Sequence, residues 1–187
     1  MFPDFLDEPA NEVARKLLGC ELVRAIGNTT ARVRIVETES YDETDAASHS
    51  FKGKTARTEV MFGASGFLYV YFTYGMHYCC NVVCGPEGEG AAVLIRAVEP
   101  IVNTKVLEQY RGKIGIELSN GPAKLCQALQ IEKSLNGHDL RTSPLLLETA
   151  TLYDDEIIVT TTRVGISKAK DELRRFYLKG NPYVSRV

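Results

Sequence analysis

Hydrophobic and polar positions alternate with a period of two in several separate stretches of the chain, and that period marks strands. Residues 21–25 and 31–39 read as two strands around the turn at Gly27-Asn28. Residues 67–72 and 77–84 form a second hairpin, rich in aromatic and β-branched residues, and residues 90–98 are apolar enough for a central strand. Shorter strands follow at 144–148 and 156–162, with a last extended piece at 176–183. A helical spacing occurs three times, over 9–18, 100–111 and 122–131, with a proline in the first turn of each and Gly19 placed to stop the first. Between residues 41 and 66 no period is sustained. The stretch is rich in Asp, Ser, Thr, Lys and Gly, and predicts a long loop with one short helical turn. Strands outnumber helices and are joined by hairpins. The fold expected is α+β: a single domain over residues 1–187, with a mixed, mainly antiparallel sheet, surrounding helices and a protruding β-hairpin.

Composition narrows the class. The 187 residues are 44% hydrophobic and 25% charged, which excludes disordered, collagen-like and disulfide-scaffold proteins. No apolar run reaches the roughly 20 residues that span a bilayer, and the acidic start, Asp4 through Glu8, lacks the basic region of a secretory signal. A soluble cytoplasmic protein is expected, with no membrane partner. The five cysteines, at 20, 79, 80, 84 and 126, are an odd set and read as reduced thiols. His77, Cys79, Cys80 and Cys84 lack metal-ligand spacing, because adjacent residues on a strand face opposite sides. No metal and no other cofactor is expected. A net charge of −2 argues against a strongly basic nucleic-acid binder. Its distribution does not, since residues 163–187 are basic and Lys52, Lys54 and Arg57 form a short positive run.

Two features call for an explanation. The tip of the second hairpin, Thr73-Tyr74-Gly75-Met76, carries large apolar side chains where a turn meets water. Either they fold back or bury at a contact between copies, or they form a wedge of the kind that enters stacked bases. The second feature is Val36-Glu37-Thr38-Glu39-Ser40-Tyr41. Alternation puts Glu37, Glu39 and Tyr41 on one face, in line with Val33 and Ile35. Two carboxylates continuing an apolar face suggest acid–base chemistry; the plain alternative is a strand end emerging into solvent.

The same segments resemble the alkyladenine (3-methyladenine) DNA glycosylases, as a bacterial-type member. The resemblance rests on Val36–Tyr41, His49-Ser50, Met61-Phe62, Leu68–Tyr71, Tyr74-Gly75-Met76, Cys79, Asn81 and Val93–Pro100. It continues through Gly121–Leu129, Arg163-Val164-Gly165 and Arg175–Tyr177, so it covers nearly the whole chain. It implies that Glu39 is a general base activating water against the sugar C1′ of a flipped nucleotide, with Arg96 and the backbone carbonyl of Val164 placing that water. It implies that Tyr41, His49 and Tyr71 wall the base pocket, where aromatic faces favour positively charged alkylated purines. It makes Asn81 a gate against the exocyclic amine of guanine, Tyr74 the wedge, and Met76 and His77 its neighbours on the duplex. Arg57, Lys124 and Arg163 become candidate phosphate contacts. Glu37 receives a structural role, and Asp45–Ser48 receive none.

The expected activity is therefore that of a monofunctional hydrolase. It would excise 3-methyladenine, 7-methylguanine and, further afield, deaminated or etheno purines from double-stranded DNA, acting as a monomer on the nucleoid. A non-catalytic binder of damaged or distorted duplex would share the wedge and pocket but has no need of Glu39 and Arg96. A glycoside hydrolase using Glu37 and Glu39 would leave the wedge unexplained.

Overall fold

The computed structural model describes residues 1–73 and 75–185. The sequence folds into one nine-stranded sheet with three helices packed on it. Helix α1 (Ala10–Lys16) leads into β1 (Glu21–Ile26) and β2 (Thr29–Tyr41). The hairpin β3 (Phe67–Thr73) and β4 (His77–Val83) is followed by β5 (Ala92–Val102), α2 (Thr104–Arg111) and α3 (Pro122–Ala128). Four short strands complete the chain: β6 (His138–Asp139), β7 (Leu145–Glu148), β8 (Ile158–Thr161) and β9 (Arg175–Leu178). The sheet runs β6-β3-β4-β5-β2-β1-β7, with β9 pairing β2 and β8, and every pairing is antiparallel. This is the α+β architecture that the alternation predicts. Among the described residues no helix is long and apolar enough to cross a membrane.

Strand β2 organises the molecule. Along one edge it pairs with β5 over most of its length; along the other it pairs with β1 up to Arg34 and with β9 from Glu37. Its backbone amides and carbonyls are thus satisfied by neighbours on both sides, which permits residues 33–40 to be buried without a break. Helix α1 covers one face, where Val13, Ala14 and Leu17 are fully buried. Each such Val or Leu is worth about 1.5–3 kcal/mol of transfer free energy. Thr38 lies under the helix and donates its hydroxyl to the Ala14 carbonyl at 2.8 Å. Register shifts flank Glu37. They break the single line from Val33 through Ile35 to Glu37 and Glu39 that plain alternation predicts.

Two other expectations change. Residues 100–102 continue β5 instead of opening a helix. Pro100 faces Val33 where the register slips, a place that tolerates a residue without an N–H. The helix begins only after Asn103, whose φ of 58° turns the chain. The segment between β2 and β3 has two short 3₁₀ turns, His49–Lys52 and Glu59–Phe62. Gly90 lets it close on the sheet. A Cβ there would lie 2.5 Å from the Phe62 ring and 2.7 Å from the Ser50 Cβ, while the Ser50 hydroxyl bonds the Gly90 carbonyl at 2.6 Å. This contact fixes the turn that carries His49.

Candidate active site

Antiparallel register draws one lateral row across five strands: Tyr69 on β3, Asn81 on β4, Leu94 on β5, Glu39 on β2 and Arg175 on β9. Directly opposed residues share a face, so the row brings groups remote in sequence to one side of the sheet. Tyr41 and Tyr71, each two residues along its own strand, extend that face.

Glu37 and Glu39 are both fully buried, which removes the solvent-exposed alternative. Arg96 lies between them, its Nε donating to Glu37 at 2.9 Å and its Nη1 forming a 3.1 Å ion pair with Glu39. Burial alone would lower the Arg96 pKa. The carboxylates of Glu39 and Glu37 outweigh it and hold the value above the ordinary one, so the cation that relieves the repulsion between them is retained. Glu39 also accepts the backbone N–H of Val164 at 2.9 Å and the hydroxyl of Tyr41 at 2.7 Å. Burial first, and then the Glu39 charge, raise the Tyr41 pKa, so the phenol stays a donor. Glu37 is held differently. Besides Arg96 it accepts from Arg175 Nε at 2.7 Å, the Ser185 amide at 2.7 Å and the Ser185 hydroxyl at 3.0 Å. Both of its oxygens are occupied by protein donors.

A cleft of ≈ 200 Å³ is lined by Tyr41, His49, Tyr69, Tyr71 and Asn81, with Met61 and Gly165, and Tyr41 joins it to Glu39 through its hydroxyl. A cavity of about 150 Å³ takes a benzene ring, so this one suits a single flat heterocycle. His49 meets Tyr71 edge-on, with ring centroids 4.6 Å apart, and Tyr69 lies 5.7 Å from Tyr71. Asn81 is buried and donates its amide to the Tyr69 carbonyl at 3.0 Å. Tyr69 escaped the sequence reading, although it stands two residues before Tyr71 and strand alternation puts both on one face.

His49 stands at the open mouth of the cleft. Its Nδ1 meets the Tyr69 hydroxyl at 3.0 Å and its Nε2 meets the Arg57 guanidinium at 3.3 Å. Arg57 can only donate, so Nε2 accepts and the ring proton is on Nδ1. Desolvation, reinforced by the Arg57 charge, lowers the His49 pKa from 6.5 to about 4. The imidazole is then neutral at neutral pH and adds no repulsion against a cationic base. A histidine NMR titration is expected to place the His49 midpoint below 6; a midpoint at 6.5 or above would contradict the neutral wall.

The remaining candidates divide. Met76 is 69% exposed at the hairpin tip, and His77 is exposed beside it. Tyr74 lies outside the described residues. Arg57 is exposed and sits over the Tyr71 ring at 5.9 Å, at the rim of the cleft. Lys124 is engaged by Glu117 at 2.8 Å and Asn120 at 2.7 Å. Arg163 departs from the expectation of a phosphate contact. Its side chain is fully buried, ion-paired with the equally buried Asp45, and stacked on Tyr41 at 4.7 Å. A guanidinium facing inward serves the wall of the cleft, because a basic run in sequence does not say which way each charge points. All five cysteines are buried free thiols, and no group of three or more metal-ligating residues occurs among the described residues.

The fold thus brings a buried carboxylate–guanidinium pair and an aromatic cleft to one face of the sheet. Residues 4–182 match the family described as Methylpurine-DNA glycosylase (MPG), and the chain belongs to that family of N-glycosyl-bond hydrolases acting in base excision repair. It is similar to two proteins named "Putative 3-methyladenine DNA glycosylase". The one from Carboxydothermus hydrogenoformans is 52% identical over 176 residues, covering 93% of this chain and 92% of the relative. The one from Methanoculleus marisnigri is 50% identical over 186 residues, covering 97% and 96%.

Proposed function

We propose that the protein flips an alkylated purine out of duplex DNA into the aromatic cleft and hydrolyses its N-glycosyl bond with a water activated by Glu39. The observation that carries this reading is the lateral row, which sets Asn81 at the cleft and Glu39 on one face, two strands apart. At about 4.8 Å per strand that is roughly 10 Å, a span in which a purine and its C1′ fit side by side.

Water oxygen attacks C1′, the C1′–N bond breaks with its electron pair going to the base, and Glu39 takes the proton from the water. Its carboxylate also offsets the positive charge that develops on the sugar. Arg96 and the Val164 amide hold the carboxylate in one orientation, and the Val164 carbonyl steadies the second water hydrogen. Purines methylated at N3 or N7 carry a positive charge and leave as neutral bases, so they need no acid. Neutral hypoxanthine and ethenoadenine do. The titratable groups lining the cleft are poor acids: burial raises Tyr41, Tyr69 and Tyr71, and His49 is already neutral. The favoured substrates are therefore 3-methyladenine and 7-methylguanine. No lysine is among the residues lining the cleft, which supports direct hydrolysis over a Schiff base.

Asn81, held by its bond to Tyr69, opposes the 2-amino group of guanine. Met76 and Tyr74 fill the gap left by the flipped nucleotide, and the protein works as a monomer. Single-turnover reactions on methylated DNA and on duplexes with one hypoxanthine or one ethenoadenine test the substrate range. Release from methylated DNA is expected to be at least about 10²-fold faster, the scale of one acid–base contribution. Equal release from all three would overturn the preference, and binding without release from any would replace the enzyme by a non-catalytic binder.

A further inference from the structure

The cation beside Glu39 is itself held in place by the far end of the chain. Asn181 bonds Glu99 at 3.0 Å, and its side chain accepts the Tyr183 amide at 3.0 Å. The segment so anchored delivers Ser185 to the carboxylates. The Ser185 hydroxyl accepts from Arg96 Nη2 at 3.2 Å and donates to Glu37 Oε1 at 3.0 Å, while the Ser185 amide donates to Glu37 Oε2 at 2.7 Å. Each direction is forced, since guanidinium nitrogens only donate and a carboxylate only accepts. Arg96 is therefore gripped at Nε by Glu37 and at Nη2 by Ser185, and Nη1 is left to meet Glu39. A planar guanidinium fixed at two nitrogens has its third fixed as well.

We propose that Ser185 is a positioning residue: through Arg96 and Glu37 it sets the orientation of the Glu39 carboxylate, so that the C-terminal segment is part of the catalytic machinery. The hydrogen bonds of Ser185 run to Arg96 and Glu37, and its influence is on the rate of the chemical step. The inference rests on the proposed role of Glu39 as base.

The test compares Ser185→Ala with Ser185→Thr. The alanine variant keeps the amide bond to Glu37 and loses both hydroxyl bonds; threonine restores them. Single-turnover release from methylated duplex is expected to fall about 10- to 100-fold in Ser185→Ala, the scale of a small misplacement of a reacting group. The Kd for a duplex carrying a tetrahydrofuran abasic analogue is expected to stay within about twofold, and Ser185→Thr to recover most of the rate. Wild-type rates in Ser185→Ala, or an equal loss in both variants with a matching fall in Tm, would overturn the proposal. Failure of the wild-type enzyme to release base would instead refute the role of Glu39.

Discussion

Glu39→Gln is expected to abolish base release in practice, slowing single-turnover excision by about 10²–10⁴-fold, the usual contribution of a positioned general base. The amide keeps the volume of the carboxylate and an oxygen to accept the Val164 N–H or the Tyr41 hydroxyl. It cannot take a proton from water, nor stabilise positive charge on the sugar. Arg96 loses its ion pair to this side chain but keeps the one to Glu37. The fold and the cleft should survive, and the Kd for lesion duplex should change little. An unchanged excision rate in this variant would remove Glu39 from the mechanism.

Arg163→Met is expected to produce the largest loss of stability. Arg163 and Asp45 are paired with both side chains fully buried, and removing one partner leaves the other's charge buried without it. Such losses run to about 3–5 kcal/mol. At roughly 2–4 °C per kcal/mol for a chain of this size, the Tm should fall by roughly 6–20 °C. The cleft should suffer too, because Arg163 stacks on Tyr41 and also donates to the Ser40 carbonyl at 3.1 Å. The double variant with Asp45→Asn should recover part of the loss. Below the Tm, the salt dependence of DNA binding should keep its slope, whereas loss of a phosphate contact would reduce it by about 0.9. A changed slope with an unchanged Tm would restore Arg163 to the DNA surface.

What could be read in the sequence was whatever has a local signature. The pocket tyrosines 41 and 71 were legible only through the family resemblance, and register shifts at Glu37 break the one face expected from Val33 to Glu39; the 67–84 hairpin and its apolar tip follow from a period of two and from turn chemistry. The burial of both glutamates does not. It depends on β2 being paired along both edges and covered by α1, which no stretch of β2 announces. Arg163 meets Asp45 across 118 positions, and Ser185 meets Glu37 across 148. Partners so far apart leave no periodic trace. The basic run from residue 163 therefore looked like a surface while Arg163 and Arg175 faced inward. The two-residue strand β6 is too short to carry a pattern, and Pro100 marks a bulged strand where its residue type suggests a helix start.

The most direct test of hydrolysis at this site is incubation of the wild-type protein with end-labelled methylated duplex, run on denaturing gels before and after alkali. The account predicts unbroken strands before alkali, breaks at methylated purines after it, and free methylated base in solution. Strands intact after alkali, or strands already broken before it, would contradict hydrolysis by Glu39-activated water that leaves an abasic site.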